Sequence, residues 1–457
     1  MNNVSLLPSE RQLRDHVFKL VVVVVFFSLV IAIFQANALA ETIAGQTGVN
    51  AGFFVGNKEK KDVADSSLPA DNYKSSVAYD LLFQTTGYLS YSSLAGGGHM
   101  IGGKGSVVFA PVVKFDEEKS LILLYTGSYR KTKQVFVQDE GPKLFSEDIV
   151  QNVIPTFRYM YSSKMAISPS VVFTEVKTKE TSEDTWSNGL YNYRDVGGGI
   201  KVEYQLEADS DEKQDVSFGV QCFRRKYSNF ISLASIAGIG SFEEREKDFD
   251  GTLVSINHLK LRKFGWSNTA KLSFLDKRYV DKLIENETGE RDPVKQHDIN
   301  LHLHNDLLYK LESGWGYGLG LSLGYTESNQ NMTEGTFPAV VFHPNYYSLY
   351  SISLRPSVSF VDHLSCGKII TYSAQYGVTR SNYVERHAKD SNGVLLDDKQ
   401  VDWASNLTLR MVYTLDKHWN IGMVMDYSKV SSNMHYEQVY RYNYEVMNLS
   451  AGFSFRY

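Results

Sequence analysis

The sequence predicts an all-β transmembrane protein, an antiparallel up-and-down β-barrel of about 16 strands (range about 14–18). Three observations carry this prediction. The N-terminus has the layout of an export signal, aromatic residues make up 13% of the chain with 29 Tyr and 25 Phe, and apolar and polar residues alternate over many segments. Alternation of this kind gives each strand one face for lipid and one for a polar lumen.

The first forty residues predict a cleaved signal peptide, 1–40. Residues 1–19 are polar with three basic side chains, the apolar run LVVVVVFFSLVIAIF follows at 20–34, and Ala38 and Ala40 form a small-x-small pattern. The alternative is a permanent anchor, but 15 apolar residues fall short of the roughly 20 that cross a bilayer. We therefore expect export, with cleavage after Ala40.

Net charge and cysteine content exclude few classes of protein. The formal net charge is −5, and Cys222 and Cys366 lie far apart in the chain, so we expect no disulfide framework. We also expect no cofactor and no nucleic-acid partner. Past the signal, no apolar run reaches the length of a membrane helix, which leaves a soluble exported enzyme or a β-barrel.

The strand pattern favours the barrel. In 403–413 and 419–427, one face is apolar and ends in aromatic residues, and the other is polar; the turn 416–418 joins the two segments. Aromatic residues at both ends of an apolar stripe are typical of the two membrane interfaces. A soluble β-helix or sandwich would also alternate, but it would not need these aromatic ends.

Similar alternation recurs along the chain, and a weakly patterned segment at 250–262 brings the number of strands to about 16. The other segments are 79–91, 107–115, 121–129, 153–161, 171–173, 200–206, 216–220, 270–274, 301–309, 315–325, 350–360, 370–378 and 444–457. Short connections, predicted as periplasmic turns, lie at 116–119, 162–164, 312–314 and 415–418. Longer polar connections, predicted as extracellular loops, lie at 131–150, 179–194, 327–346 and 382–401.

Several segments depart from this pattern. The lead-in 41–78 is a first strand, a periplasmic segment or a plug, with the barrel at 79–457. The glycine-rich Gly98–Gly105 resembles a phosphate loop, but no helix follows it, and we interpret it as a hairpin connection. The connection Asn229–Gly251 is apolar and then charged. It either folds into the lumen or contacts a partner, or else the two flanking strands extend further towards the outside than the pattern indicates.

Four prolines fall inside predicted strands, where each one removes a backbone donor. They are residues 111, 155, 169 and 356. We expect them to lie at bulges or at the rims of the barrel.

The chain ends on YEVMNLSAGFSFRY, in which alternate hydrophobic residues lead to the aromatic Tyr457. Together with the signal peptide, this segment resembles the C-terminal signature of Gram-negative outer-membrane β-barrel proteins, although the usual last residue there is Phe. The resemblance implies an outer-membrane location and recognition of Phe453, Phe455 and Tyr457 by the barrel-assembly machinery. It covers the last strand only and identifies no specific porin family.

By parity, a set of charged and polar side chains faces the lumen and forms our pore-lining candidates: Arg130, Arg158, Lys201, Glu203, Lys271, His302, His304, Asp306, Arg355, Arg410, Asp426 and Arg456. Basic residues outnumber acidic ones in this set, which favours anions wherever several cluster at a constriction. His302, His304 and Asp306 share one strand face and could bind a divalent metal or respond to pH. A polar lumen also explains them, and we prefer that explanation.

The sequence therefore predicts an outer-membrane barrel in contact with lipid, most simply a passive or substrate-biased, porin-like diffusion channel for small hydrophilic solutes. A homo-oligomer is left open. The alternative is a non-conducting surface barrel in adhesion, scaffolding or polymer export. A barrel enzyme is a third option, but we expect none, because no Ser/His or Asp/His set stands out on one rim. Gly320–Gly324 matches G-x-S-x-G, yet Ser322 lies within a predicted strand instead of at a strand-to-helix turn.

Overall fold

The computed structural model describes residues 78–94, 98–132, 137–138, 141–142, 146–179, 184–208, 212–230, 245–334, 341–364, 367–437 and 442–457. All of them belong to one compact unit, Val49–Tyr457. The predicted signal peptide 1–40 and the lead-in up to residue 77 lie outside the described residues. Within the described ranges, no helix is long and apolar enough to cross a membrane.

Strands account for nearly all of the regular structure. Their bounds are β1 (Ala78–Leu94), β2 (Gly98–Lys114), β3 (Lys119–Thr132), β4 (Val137–Gln138), β5 (Gly141–Pro142), β6 (Ser146–Met160), β7 (Met165–Lys179), β8 (Tyr193–Ala208), β9 (Glu212–Tyr227), β10 (Phe249–Arg262), β11 (Gly265–Glu285), β12 (Arg291–Lys310), β13 (Trp315–Ser328), β14 (Met332–Glu334), β15 (Val341–His343), β16 (Leu349–His363), β17 (Ile369–Lys389), β18 (Leu395–Thr414), β19 (Trp419–Ser432) and β20 (Tyr444–Arg456).

Sixteen of the described strands close into one antiparallel barrel in which each strand pairs with its neighbours in chain order. The other four form two small hairpins, β4–β5 and β14–β15, inside longer connections. The predicted fold class and the strand number of 16 are confirmed.

The barrel closes between its first and last strands. β20 pairs with β1 from Gln84 opposite Arg456 to Leu94 opposite Val446. The backbone N–H of Tyr457 donates to the carbonyl of Phe83 at 2.8 Å. The C-terminal strand therefore completes the wall against β1.

The outer face of the wall carries the apolar stripes. Ile421 and Leu354 are 47% and 48% exposed, and similar values recur around the barrel. Aromatic rings lie at the ends of these stripes, with Trp266 and Tyr309 centroids 4.9 Å apart and Trp419 and Phe455 centroids 4.8 Å apart. This is the apolar band with aromatic borders that lipid contact requires.

The connections at one end of the barrel are short, at 115–118, 161–164, 311–314 and 415–418, and we call this the short-turn end. Asp416 Oδ1 accepts hydrogen bonds from the backbone N–H groups of His418 and Trp419 at 2.7 and 2.9 Å. Asp116 Oδ1 accepts from Glu118 and Lys119 in the same way. The turn chemistry agrees with the predicted short connections.

At the opposite, long-loop end, two pairs of strands run well beyond the others. β11 and β12 are 21 and 20 residues long, and so are β17 and β18. Turns at 286–290 and 390–394 close these two tall hairpins, with Gly289 and Gly393 at φ of 80° and 85°. The prediction of a loop at 382–401 is wrong, because polar residues there continue the strands above the apolar band.

Two other expectations are also wrong. Gly98–Gly105 belongs to β2 and pairs with β1 up to Leu94 opposite Gly98. A glycine-rich segment can form a strand when the neighbouring strand provides its backbone hydrogen-bond partners. The prolines lie within strands, and no register shift marks a bulge. Pairing between β6 and β7 keeps one register from Val153–Phe173 through Thr156–Ser170 to Tyr159–Ile167, although the pairs next to Pro155 and Pro169 drop out. Proline lacks a backbone N–H, so it removes a ladder hydrogen bond, but it does not insert the extra residue that makes a bulge.

The predicted connection Asn229–Gly251 is shorter than expected. β9 ends at Tyr227 and β10 begins at Phe249, so higher-running strands account only for its last residues. Residues 231–244, which contain most of its apolar part, lie outside the described residues, and the place of this segment relative to the lumen stays a prediction.

Candidate functional site on the inner wall

A cluster of charged and polar side chains forms on the inner face of β12, β13 and β16. The register places His304 opposite Ser322 and Asp306 opposite Gly320, and Gly320 in turn lies opposite Arg355. Side chains of directly opposed residues point to the same face of a sheet. We call Ser322, His304, Asp306 and Arg355 the inner-wall cluster.

Hydrogen bonds connect the members of the inner-wall cluster. His304 Nε2 lies 2.6 Å from Asp306 Oδ2, and His304 Nδ1 lies 2.8 Å from Ser322 Oγ. Arg355 Nη2 lies 2.9 Å from His304 Nδ1, 3.2 Å from Ser322 Oγ and 3.4 Å from Asp306 Oδ1. Arg355 of β16 thus contacts side chains of both β12 and β13 through Nη2.

Glycine on β13 makes room for this arrangement. A Cβ atom at Gly320 would lie 2.6 Å from Asp306 Oδ1 and 3.0 Å from Arg355 Nε. A Cβ at Gly318 would similarly lie 2.3 Å from Ser357 Oγ. At these positions the inner face of β13 therefore carries no side chains, and side chains of β12 and β16 extend over it.

The metal candidate is not assembled. His304 uses both ring nitrogens within the inner-wall cluster, and the cationic Arg355 contacts it. The side chain of His302 lies instead against Gly324, where an added Cβ would be 3.2 Å from His302 Nδ1. No group of three or more His, Cys, Asp or Glu that could hold a metal is found among the described residues.

Ser322, His304 and Asp306 follow the contact order of a serine hydrolase triad, with the hydroxyl on one imidazole nitrogen and the carboxylate on the other. We expected no Ser/His or Asp/His set on one rim, and this set lies on the inner wall, within the strands. The sequence hides this set because only the β12–β13 register brings Ser322 to His304. Ser322 lies within β13, as predicted, and Arg355 Nη2 competes with its hydroxyl for His304 Nδ1.

Other pore-lining candidates also form ion pairs, within one strand or between strands. Lys201 Nζ lies 2.7 Å from Glu203 Oε1, and Arg158 Nε lies 3.6 Å from Glu203 Oε2. Arg130 pairs with Asp148 at 2.7 Å, a partner that sequence reasoning missed although it shares the same face. Lys104 Nζ lies 3.9 Å from Asp426 Oδ2, and Lys104 was missed because Gly98–Gly105 was interpreted as a connection.

Two candidates differ from the rest. Lys271 and Arg410 are exposed on the inner face and form no ion pair with a described residue. Arg456 also points inward, and its backbone N–H donates to the carbonyl of His418 at 2.9 Å. The role of all twelve candidates in lining a conducting pore stays a prediction.

A second, aromatic cluster lies at the long-loop ends of β8, β9 and β10. Arg225 forms two 2.8 Å hydrogen bonds with the carboxylate of Asp195 and stacks 3.8 Å above the ring of Tyr193. Phe249 lies on its other side, and Tyr279 donates to Asp298 at 3.0 Å next to it. None of these residues was among the candidates, because each lies in a predicted connection or beyond the ends of the alternating segments.

The inner wall also has an apolar sector, on β1 to β7. Leu82 lies opposite Ala110, and Leu124 lies opposite Ile154. Their side chains point away from the exposed outer stripe of Leu81, Leu123 and Val153. The lumen wall is thus aliphatic over part of the first strands.

The residues of the predicted assembly signal lie on the outer face. Phe453 is 44% exposed and Tyr457 68%. Trp419 packs on Phe453 and Phe455 with centroids 5.7 and 4.8 Å apart. Their recognition by the assembly machinery stays a prediction.

No known family model and no curated protein matches the chain. Solved structures with a similar fold include OmpT, an outer membrane protein of Vibrio cholerae in its trimer form, at TM-score 0.41 and 10% identity over 83% of this chain and 100% of that one. A bacterial polysaccharide outer membrane secretin matches at TM-score 0.41 and 10% identity over 82% and 98%. Pseudomonas aeruginosa OccK11 (OpdR) matches at 0.37 and 12% over 83% and 96%. The closed barrel of sixteen described strands with an apolar outer wall is the architecture of outer-membrane β-barrel proteins, and no specific family is found.

Proposed function

We propose that the protein is an outer-membrane diffusion channel, passive or substrate-biased, for small hydrophilic solutes. The observation that carries this proposal is that charged inner-wall side chains, among them Lys271 and Arg410, remain exposed within a closed barrel. Barrels of about 16 strands are wide enough to leave an aqueous passage. A passage lined by such groups carries water and polar solutes.

The proposed bias is toward anions. Most inner-wall cations neutralise a neighbouring carboxylate, as Arg130 and Lys201 do. Lys271 and Arg410 have no such partner among the described residues, so they add positive potential to the lumen. Apolar side chains on the inner faces of β2 and β3 add no charge of either sign.

Swelling of proteoliposomes tests the proposal. Liposomes that contain the full-length, folded protein should swell in iso-osmotic solutions of small sugars, at rates that fall as the sugar becomes larger. Protein-free liposomes are the control. A correctly folded barrel that gives no swelling with the smallest sugar would contradict a channel and favour the surface-barrel function in adhesion, scaffolding or polymer export.

One observation favours a second candidate function, a serine hydrolase in the lumen. Ser322, His304 and Asp306 are connected by contacts of 2.8 and 2.6 Å. Two features weigh against it. Ser322 lies in a continuous ladder with β12 and β16, without a pair of free backbone N–H groups nearby among the described residues, and Arg355 already contacts His304 Nδ1. The cluster fits a structural ion network in a channel wall better.

A fluorophosphonate probe separates these two functions. We expect no label on the folded protein. Labelling that disappears in Ser322→Ala but persists in Ser353→Ala, the neighbouring inner-wall serine on β16, would show an activated nucleophile and contradict the purely structural role of the cluster.

A further inference from the structure

Strand β10 reverses the usual alternation in its half near the short-turn end. Ile256 lies opposite Phe218 and Leu272, which places even-numbered residues of β10 on the outer face. The next even-numbered positions are His258 and Lys260, whereas Leu259 takes the inner face. Polar outside and apolar inside is the opposite of what a lipid-facing strand requires, and it explains why the sequence pattern of this strand was weak.

A neighbouring asparagine on β12 lies at the same depth. Ala270 of β11 lies opposite His258 of β10 on one side and opposite Asn305 on the other. On β13, Asn305 lies opposite Leu321. It lies four residues from Tyr309 of the aromatic border, which is about 13 Å along a strand and about 10 Å in depth at the usual tilt. An apolar band is about 25 Å tall, so Asn305 lies near its middle.

These outer-face side chains form a directed chain of hydrogen bonds. Gln214 Nε2 lies 3.0 Å from His258 Nε2, and His258 Nδ1 lies 3.2 Å from Asn268 Oδ1. Asn268 Nδ2 donates to Asn305 Oδ1 at 3.1 Å. The chain ends on the Asn305 amide nitrogen, whose two N–H groups meet no acceptor among the described residues.

We propose that the outer wall of β9–β12 is an interface with a second copy of this chain, centred on Asn305. An N–H group at hydrocarbon depth is costly without an acceptor, and acyl chains supply none. The acceptors of lipid head groups lie roughly 10 Å away along the wall. A carboxamide is its own complement, because each one offers a donor and an acceptor to the other.

Two-fold symmetry follows from this complementarity. In an isologous contact a residue on the axis meets its own copy, so the two Asn305 amides pair reciprocally. Ile256, Leu272 and Leu303 surround them on the same outer face and supply apolar contact area. Polar side chains within an apolar surround are a known way for membrane segments to associate.

Cysteine cross-linking of the full-length protein in its membrane tests this interface. In a Cys222→Ser, Cys366→Ser background, Asn305→Cys should give a covalent dimer with a short bifunctional thiol-reactive cross-linker, because two paired carboxamides hold the backbones close together but farther apart than a direct disulfide allows. Ile421→Cys, which is equally outward on β19, is the matched control and should stay monomeric. Heat-dependent mobility in detergent confirms that each variant is a folded barrel.

A second variant gives an independent result. Asn305→Leu keeps the outer face apolar, so the barrel should fold, but the detergent-solubilised protein should sediment as a monomer where the native chain sediments as a dimer. A folded Asn305→Cys barrel without a dimer band, an adduct of a different mass, or a native chain that sediments as a monomer would each overturn the proposal. None of these outcomes depends on whether the barrel conducts.

Discussion

At the scale of single residues, Arg355 organises the inner wall. Its guanidinium contacts His304, Asp306 and Ser322, and the absence of a side chain at Gly320 leaves the space in which it lies. The charge of Arg355 is thereby balanced within the wall. The potential felt by a solute then depends on cations that have no carboxylate beside them.

The first prediction concerns Lys271 and Lys277, both on the inner face of β11. The double substitution Lys271→Glu, Lys277→Glu reverses two charges in the lumen, and we expect the channel's preference for anions over cations to fall severalfold. The measurement is the reversal potential across a bilayer under a salt gradient. Lys226→Glu on the outer face of β9 is the control and should leave the reversal potential unchanged.

The sequence allows such side chains to be assigned to a face but not to a neighbour. Parity puts His304 and Arg355 on one side of their strands, and the register between strands, which one strand's pattern does not contain, brings them together with Ser322. Arg225 and Tyr279 were missed for a related reason. Their strands extend beyond the apolar band, where alternation of apolar and polar residues stops being informative.

At the scale of elements, turn residues fix where strands end. The pKa of Asp416 is lowered because the backbone N–H groups of His418 and then Trp419 donate to its carboxylate. The sign follows from linkage: a depressed pKa in the folded state adds stability above the unfolded pKa of about 3.9 and loses it as the pH falls through the folded value. Asp416 thus favours the β18–β19 hairpin at neutral pH.

The second prediction follows from this turn. Asp416→Asn retains an acceptor oxygen and removes the titration, so we expect its urea midpoint to change less between pH 7 and pH 3 than that of the native chain, whereas Asp416→Ala should unfold at lower urea at pH 7. The measurement is the heat-resistant folded band after urea incubation. Equal pH dependence of the native chain and Asp416→Asn would contradict the linkage.

The connection between β13 and β16 rests on both tall hairpins. Arg386 of β17 lies 4.3 Å from the ring centroids of Tyr346 and Tyr383 and 5.3 Å from that of Tyr347. On the other side, Thr333 donates to Glu285 at the tip of β11 at 2.8 Å. The connection is therefore attached at two points.

The third prediction tests the attachment at Arg386. Each cation–π contact contributes about 0.5–2 kcal/mol, so Arg386→Ala should raise the rate of chymotrypsin cleavage within 329–348 by roughly tenfold or more, as cleavage follows the open population. Fragment masses identify the site. Arg380→Ala, which removes a cation–π contact with Trp403 on the outer wall, should not change cleavage there.

The strands themselves were largely predictable, because lipid on one side and a polar lumen on the other impose a period of two. The exceptions have physical causes. Glycine takes four of the eight positions of Gly98–Gly105 and interrupts the alternation. Residues 382–401 lie above the apolar band, and β10 carries the polar outer face assigned above to a second copy.

At the scale of the whole molecule, closure determines what the barrel can do. β20 pairs with β1 over Gln84–Leu94, so the described sixteen-strand sheet has no free edge. The number of strands was predictable from the count of alternating segments, but the partner of the last strand was not. Closure of this size around an inner wall with exposed charges is the reason for proposing a channel.

The most direct test of that central claim is electrical recording from the purified, full-length protein in a planar lipid bilayer. The account predicts stable, stepwise increases in conductance as single barrels or dimers insert, and a lower anion preference in the Lys271→Glu, Lys277→Glu variant. A barrel that folds, as judged by its heat-dependent mobility in detergent, but inserts without any conductance step would contradict the account.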